Sequence, residues 1–273
     1  MTEALAARID GAWPTLSPQE QRVAGFLLAR PDESALYNSS ELARRTGVSK
    51  ATVSRCFRRL GFAGSQEARE VLRGRRAAGV PVAVGDLDDP VAAQIARDVE
   101  HVRDLGAGLD RAALQAAASA LAAAPRVLVV GARSAQPIAT LLRQALAQVR
   151  SDVLLAPGAG QTIGEELAGV TPEDAVVLVG FRRRPAGFGR VVAAARAATP
   201  NLVLIADPSL RPSADRWRFD VAIESASPFD SYAAAATLVS LLAGAVLAAA
   251  GPAGAARVAA VDRTYAALQE LEL

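Results

Sequence analysis

From residue 126 onward, short apolar runs alternate with stretches of helical pattern, and this alternation restricts the folds open to the chain. Each run is rich in valine, leucine or isoleucine and ends in turn residues. Strands that alternate with helices form a parallel sheet covered on both faces. The pattern therefore predicts an α/β three-layer sandwich with a parallel sheet. The runs are RVLVVG (126–131), DVLLAP (152–157), AVVLVG (175–180), NLVLIAD (201–207) and FDVAIES (219–225).

The loops at the carboxyl ends of these strands are candidate ligand sites, because ligands of such sheets bind at that edge. The loop after the third run contains three consecutive arginines, Arg182, Arg183 and Arg184. A guanidinium group binds phosphate or carboxylate through two parallel hydrogen bonds, so this loop is a candidate anion site. The alternative is that these arginines pair with acidic groups across a subunit interface or contact solvent.

The first 76 residues have helical patterns only. In LSPQEQRVAGFLLAR (16–30), Ser17 and Glu20 have the spacing of a capping box at the start of a helix. NSSELARRTG (38–47) and SKATVSRCFRRLG (49–61) predict two further short helices. Short helices joined by a tight glycine turn are typical of a helix-turn-helix. This region is therefore predicted to be an all-α helix-turn-helix domain.

The charge of this region favours contact with nucleic acid. Residues 1–76 contain thirteen basic and eight acidic residues, whereas the whole chain has a net charge of +2. The third helix offers polar side chains of the types that contact bases and phosphates. The alternative is an ordinary solvated helix with basic residues. The candidate DNA-binding residues are Ser49, Lys50, Thr52, Ser54, Arg55, Arg58 and Arg59.

Residue counts exclude several kinds of catalytic and metal sites. The chain has one lysine (Lys50), one cysteine (Cys56) and one histidine (His101). A Walker A loop needs a lysine beside a glycine-rich backbone, which Lys50 lacks, and one cysteine with one histidine cannot form a zinc cluster. The glycines of PGAGQTIGEE (157–166) do not match the dinucleotide fingerprint. We therefore expect no catalytic residue, no cofactor and no metal.

Composition also suggests where the domains begin and end. RGRRAAGVPVAVGDLDDP (73–90) combines glycine, proline and mixed charge, which is typical of a linker, and a helical pattern follows at 91–105. We expect a helix-turn-helix domain at residues 1–76, a linker and connecting helix at 77–105, and an effector-binding and oligomerisation domain at 106–273.

Residues 232–251 (YAAAATLVSLLAGAVLAAAG) form an uncharged stretch as long as the ~20 residues that a membrane span needs. The stretch is mostly alanine and lacks flanking aromatic and basic anchors, which favours a buried core helix. The N-terminus lacks the pattern of a signal peptide, and a single cysteine fits a reducing compartment. We therefore expect a cytoplasmic protein without membrane contact.

Two motifs together resemble a known family. LARRTGVSKATVSRCFRRLGFAGSQEARE (42–70) resembles the N-terminal domain of the RpiR/MurR transcriptional regulators. From Arg126 onward the chain is similar to the sugar isomerase (SIS) domain of these regulators, whose first strand ends in G-x-x-S, matched by Gly131 and Ser134. The positions that match the first motif are Leu42, Ala43, Val48, Ser49, Ala51, Thr52, Arg55, Leu60, Gly61, Phe62 and Gly64.

The resemblance implies a domain that senses a small anion, a phosphosugar or a related phosphorylated or carboxylated compound. In typical phosphosugar-binding SIS domains, an S-x-S-G-x-T loop after the third strand holds a phosphate at a helix N-terminus. Here that loop is FRRRPAGFG (181–189), in which arginines stand in place of the hydroxyls. The implied effector-binding residues are Arg133, Ser134, Arg182, Arg183, Arg184, Asp207 and Ser231.

The leading interpretation is a sequence-specific transcriptional regulator that binds a double-stranded DNA operator as a homodimer or a dimer of dimers. One alternative is a sugar-phosphate isomerase with a nucleic-acid-binding appendage, which needs a general base such as Glu165, Glu166 or Glu224. A second alternative is a structural nucleoid protein, which binds DNA without sequence preference.

Overall fold

The computed structural model describes residues 8–29, 37, 39–62, 64, 67, 89–211 and 215–271. The chain forms two compact units, one of Met1–Ile95 with Ser225–Asp230 and one of Ala96–Glu224 with Ser231–Leu273. Nearly all of the predicted linker at 73–90 lies outside the described residues. The domain boundaries expected at residues 76 and 105 therefore stay predictions.

Three helices in the first unit form the predicted helix-turn-helix: α1 at Pro18–Ala29, α2 at Ser39–Thr46 and α3 at Lys50–Arg59. Gly47 has a φ of +65° and turns the chain between α2 and α3, a conformation that costs glycine no steric strain. The apolar residues of α3 face the core as their helical spacing predicts. Those core residues are Val53, Cys56, Phe57 and Leu60.

The capping box predicted at the start of α1 is present. The Ser17 backbone N–H donates to the Glu20 carboxylate over 2.9 Å, and the Glu20 N–H donates to the Ser17 hydroxyl over 3.4 Å. The buried Glu20 carboxylate also lies 3.6 Å from the Arg59 guanidinium at the end of α3. Burial alone raises the pKa of Glu20, but the Ser17 hydrogen bonds and the charges of Arg59 and Arg55 bring it below its ordinary value. Glu20 therefore joins the start of α1 to the end of α3.

The second unit contains a five-stranded parallel sheet with the order β2-β1-β3-β4-β5. Its two central strands, β1 and β3, are buried along their whole length, which accounts for their lack of polar residues. The strands are β1 at Val127–Gly131, β2 at Val153–Ala156, β3 at Ala175–Gly180, β4 at Asn201–Ala206 and β5 at Trp217–Asp220.

Helices cover both faces of this sheet and make the predicted three-layer sandwich. Val127 and Val129 of β1 pack in the core that α5, α6 and α9 cover, while Leu128 and Val130 pack in the core beneath α8. Alternate residues of a strand point to opposite faces, so both faces of β1 are apolar. The helices are α4 at Pro90–Gly108, α5 at Arg111–Ala123, α6 at Gln136–Val149, α7 at Ile163–Ala168, α8 at Phe188–Ala198 and α9 at Ala233–Leu268.

The fifth strand differs from its predicted position at 219–225. The observed strand starts earlier, with Trp217 paired to Val203, and ends where Asp220 pairs with Ala206, the last residue of β4. Val221 and Ile223 are buried but lie beyond the end of β4 and are not part of a strand. Their apolar side chains correctly predicted burial. They do not extend β5, because a strand needs a neighbouring strand to pair with and β4 ends at Ala206.

The predicted core helix at 232–251 is the first part of α9. Among the described residues, α9 is the one helix that is long and apolar enough to cross a membrane. One side of it is buried on the sheet unit, including Leu238, Leu242 and Val246. The helix changes direction at Gly251, which has non-helical backbone angles and precedes Pro252.

The end of β1 leaves no room for a side chain at Gly131. A Cβ atom at this position would lie 2.5 Å from the Ala139 Cβ and 2.9 Å from the Ala135 carbonyl oxygen. We expect Gly131→Ala to lower the free energy of unfolding by about 1–3 kcal/mol through overpacking. Urea unfolding followed by circular dichroism measures this change.

Gly244→Ala is the matched control, because Gly244 lies in α9 and a Cβ atom added there would have no neighbouring atom within 4 Å. This substitution should raise the free energy of unfolding by about 0.5–1 kcal/mol, since alanine is the better helix former. Equal effects of the two substitutions would contradict the close approach of α6 to β1.

Candidate functional site

The outer face of α3 carries most of the predicted DNA-binding residues. Lys50, Arg55, Arg58 and Arg59 are exposed and Ser54 is half-buried. The side chains of Lys50 and Arg58 make no hydrogen bond or ion pair with any other described residue. Their charges are therefore available to a ligand outside the chain.

Ser49 and Thr52, two of the predicted DNA-binding residues, make contacts within the helix-turn-helix. Ser49 is the N-cap of α3 and accepts a hydrogen bond from the Thr52 backbone N–H. The Thr52 side chain is buried, and its hydroxyl lies 2.9 Å from the Ser49 hydroxyl and 3.4 Å from the Gln19 side-chain oxygen. Thr52 thus holds α3 against α1 from the inside.

Arg59 folds back toward α1. Its guanidinium donates to the Thr15 carbonyl and pairs with Glu20. An exposed cation missed by the sequence analysis is Arg44, in the last turn of α2. The signal for Arg44 was available, because the helix before the recognition helix of a helix-turn-helix crosses the DNA backbone.

The loop after β3 places its arginines in three different environments. Arg182 is buried, and its guanidinium pairs with the Glu224 carboxylate over 3.0 Å. Arg184 pairs with the fully buried Asp207 over 2.6 Å and also donates to the Ser209 hydroxyl over 2.8 Å. Arg183 between them is exposed, with a φ of +60°. Arg182 and Arg184 therefore pair with acids of their own chain.

Asp207 organises this loop. One of its carboxylate oxygens accepts hydrogen bonds from the Arg182 backbone N–H and the Arg184 guanidinium, each over 2.6 Å. The other oxygen accepts from the Ser209 N–H over 3.0 Å. Asp207, predicted as a pocket residue, thus connects the end of β4 to the loop after β3.

A cavity of about 240 Å³ lies at the carboxyl ends of β1 and β3. From β1 the chain adds β2 on one side of the sheet, and it then adds β3, β4 and β5 on the other side. The point between β1 and β3, where the strand order reverses, is where open α/β sheets bind ligands. Among the described residues that line the cavity, Arg190 is the one charged side chain. The lining residues are Val130, Gly131, Ala132, Ile163, Val179, Pro185, Ala186, Gly187, Phe188, Arg190 and Val191.

The N-terminus of α8 borders this cavity. Gly187, the N-cap, has a φ of +95° and makes no side-chain cap, and the Phe188 and Arg190 N–H groups donate to the Pro185 and Gly187 carbonyls over 3.1 and 2.8 Å. Phe188 packs against the end of β3, where a Cβ on Gly180 would lie 2.1 Å from its ring. A helix N-terminus together with Arg190 makes this end of the cavity electropositive. Arg190 was not among the predicted residues, because the arginine run at 182–184 carries the stronger sequence signal.

The remaining predicted effector-binding residues lie at the same edge of the sheet but do not line the cavity. Arg133 is exposed in the 3₁₀ turn Arg133–Ala135 after β1, with a φ of +56°, and Ser134 is half-buried beside it. Ser231 precedes α9, and its hydroxyl lies 3.5 Å from the Ala233 backbone N.

Two of the three candidate catalytic bases are used in structural contacts. Glu165 completes a capping box with Thr162 at the start of α7, and Glu224 pairs with Arg182.

Two family models match the chain in the order of its two units. The helix-turn-helix domain of the rpiR family matches residues 3–79, and the SIS domain matches residues 120–249. The chain belongs to the RpiR family. The arginine run after β3 is thus part of the SIS domain of an RpiR-family protein.

Solved structures with the same fold include one that matches the sheet-containing part of the chain and one that matches nearly the whole chain. One is the sugar isomerase domain of the RpiR transcription factor from Sphaerobacter thermophilus. It is 22% identical to this chain in sequence, with a TM-score of 0.57, and the match covers 65% of this chain and 99% of that chain. The NanR protein of Vibrio vulnificus, complexed with ManNAc-6P, has 18% identity and a TM-score of 0.56 over 97% of this chain and 98% of that chain. A search of curated proteins finds no match.

The loop after β3 should depend on the Asp207 carboxylate for its stability. We expect Asp207→Ala to lower the free energy of unfolding by about 3–5 kcal/mol, because it leaves the Arg184 guanidinium without its buried partner. Asp262→Ala, which removes an exposed carboxylate on α9, is the control and should change stability little. Urea unfolding of both variants tests this, and similar unfolding midpoints would contradict the role of Asp207.

Proposed function

We propose that this RpiR-family protein regulates transcription by binding operator DNA through α3 and a small anionic metabolite in the cavity between β1 and β3. The observation that carries the proposal is the switch-point cavity, bordered by Arg190 and the α8 N-terminus, in a chain that also has a helix-turn-helix. Binding of the metabolite would favour one arrangement of the protein and so change its affinity for DNA.

The DNA-binding part of the proposal rests on the charges of α3. Lys50, Arg55 and Arg58 are exposed on one helix, and exposed cations supply most of the affinity of a protein for DNA. Arg44 on α2 adds a further charge that would contact the phosphate backbone. Helix-turn-helix proteins bind paired half-sites, so we propose a homodimer or a dimer of dimers in the cytoplasm.

The metabolite that we propose is a phosphosugar. The SIS domain match and the ManNAc-6P bound to the Vibrio vulnificus protein support this class. In this chain the Arg190 guanidinium and the Gly189 N–H at the start of α8 would hold the phosphate, and the exposed Arg183 would assist from the preceding loop. Arg182 and Arg184 would instead hold that loop in place. This division of roles favours a regulator over an isomerase, since Glu165 and Glu224 already have structural partners.

Single alanine substitutions at Lys50, Arg55 and Arg58 should weaken operator binding. A lost phosphate contact lowers the slope of log affinity against log salt by about one, and a lost base contact costs about 1–3 kcal/mol. Fluorescence anisotropy with DNA from upstream of the protein's own gene and with scrambled DNA, each at several salt concentrations, separates these cases.

Arg257→Ala is the control for the DNA experiment, because Arg257 is exposed on α9, outside the helix-turn-helix. Variants of α3 that bind like this control would show that another surface contacts DNA. A native protein that binds scrambled DNA equally well would favour the architectural alternative.

Arg190→Ala should weaken metabolite binding about tenfold, as expected for loss of one charge-assisted hydrogen bond. Calorimetric titration with ManNAc-6P, other sugar phosphates and dicarboxylates measures the affinity and identifies the ligand class. Arg183→Ala should have a smaller effect, and Arg257→Ala none. Binding that is unchanged by Arg190→Ala would place the metabolite elsewhere.

A further inference from the structure

A second cavity lies in the sheet unit, away from the one between β1 and β3. Its volume is about 320 Å³, and it shares no lining residue with the first cavity. It is surrounded by the end of α4, the start of α5, Pro208 in the loop after β4, and the edge strand β5 with the residues that follow it. The lining residues are His101, Asp104, Leu105, Gly108, Leu109, Asp110, Pro208, Arg218, Phe219, Asp220, Val221 and Ala222.

His101, the one histidine of the chain, lines this cavity without a partner. Its side chain is buried, with 8% of the residue exposed, and it makes no hydrogen bond with any other described residue. In the described part of the chain, no completely buried side-chain nitrogen or oxygen lacks a hydrogen-bond partner. The imidazole nitrogens therefore reach accessible surface, and His101 is one of the residues that line the cavity. An imidazole that is nine-tenths buried, lines a cavity and has no partner among the described residues is placed to hydrogen-bond a molecule bound there.

The charged groups of the cavity favour a cation. Asp104 has no hydrogen bond or ion pair within the described residues. Asp110 uses one carboxylate oxygen to cap α5 by accepting from the Ala113 N–H over 2.9 Å. Both residues are exposed, and each carboxylate has an oxygen atom without a partner among the described residues.

The one positive side chain in the lining is not available to an anion. Arg218 donates from Nε to the Asp220 carboxylate over 2.9 Å, and its two terminal nitrogens donate to the Leu210 and Arg211 carbonyls over 2.8 and 2.7 Å. Its charge is thus balanced by its own neighbour, and the uncompensated charge of the cavity is negative.

An organic cation fits this cavity better than a metal ion. No group of three histidine, cysteine, aspartate or glutamate side chains in the described residues is arranged to hold a metal. Beside the carboxylates, the wall is apolar and includes Leu105, Phe219 and Val221. Such a wall accepts the carbon body of a ligand, while the carboxylates accept hydrogen bonds from its ammonium group.

We propose that this cavity binds a small organic ammonium compound, with the ammonium between Asp104 and Asp110, a hydrogen bond to His101, and an apolar body against Phe219. The site is separate from the proposed phosphosugar site and prefers the opposite charge. It includes the end of α4, the helix that continues from the first unit of the chain into the second.

The experiment uses three probes with the same ring and different charges: cyclohexylamine, cyclohexanol and cyclohexanecarboxylate. Isothermal calorimetry on the full chain should detect binding of cyclohexylamine, with weaker binding of the alcohol and none of the carboxylate. Asp104→Asn should weaken amine binding about tenfold, a change of about 1.4 kcal/mol, while Asp104→Glu should preserve it. His101→Leu should also weaken binding, because it removes the hydrogen bond and keeps an apolar side chain.

Glu100→Gln is the matched control, since it removes one exposed charge from α4 outside the cavity. Thermal unfolding checks that each variant is folded. Equal binding of the amine and the alcohol would overturn the charge assignment, and amine binding that survives both Asp104→Asn and His101→Leu would overturn the site. Neither result bears on the phosphosugar proposal, which depends on Arg190 and is tested with different ligands.

Discussion

The hydrogen bonds of the Asp207 carboxylate hold the loop after β3, at the edge of the sheet where the candidate ligand site lies. It is completely buried at the end of β4 and binds the backbone and side chains of the loop that follows β3. A buried carboxylate is stable only when charged and polar groups surround it. Asp207 therefore requires Arg184 beside it. This pair holds the loop between β3 and α8, and that loop in turn positions Arg190 in the first turn of α8.

The helix-turn-helix has a comparable centre in Glu20. Its buried carboxylate caps α1 and attracts Arg59 of α3, so one acidic group sets the angle between a supporting helix and the candidate DNA-reading helix. Thr52 strengthens the same contact from inside. In both units, a buried carboxylate holds an arginine that the sequence alone presented as free for a ligand.

The two cavities of the sheet unit differ in charge because of their neighbouring elements. The start of α8 borders the cavity between β1 and β3, which Arg190 lines, while Asp104 of α4 and Asp110, the N-cap of α5, line the cavity at β5. A helix start is electropositive, which adds to the charge of Arg190 in the first cavity, whereas the start of α5 at the second cavity is capped by the Asp110 carboxylate. An anion in the first and an ammonium compound in the second agree with this arrangement.

The sequence by itself determined the fold class. The periodicities of strands and helices depend on residues close together in the chain, and so do helix caps such as the capping box at Ser17. The sequence alone therefore predicts them. It also located the candidate ligand edge of the sheet, since the carboxyl ends of parallel strands lie together. The tertiary structure alone decided which charges remain available there. Arg182, Arg184 and Arg59 are paired with acids distant in sequence, whereas Arg190 lines a cavity. Such pairings depend on which strand ends and helices meet in space, and no periodicity along the chain encodes that.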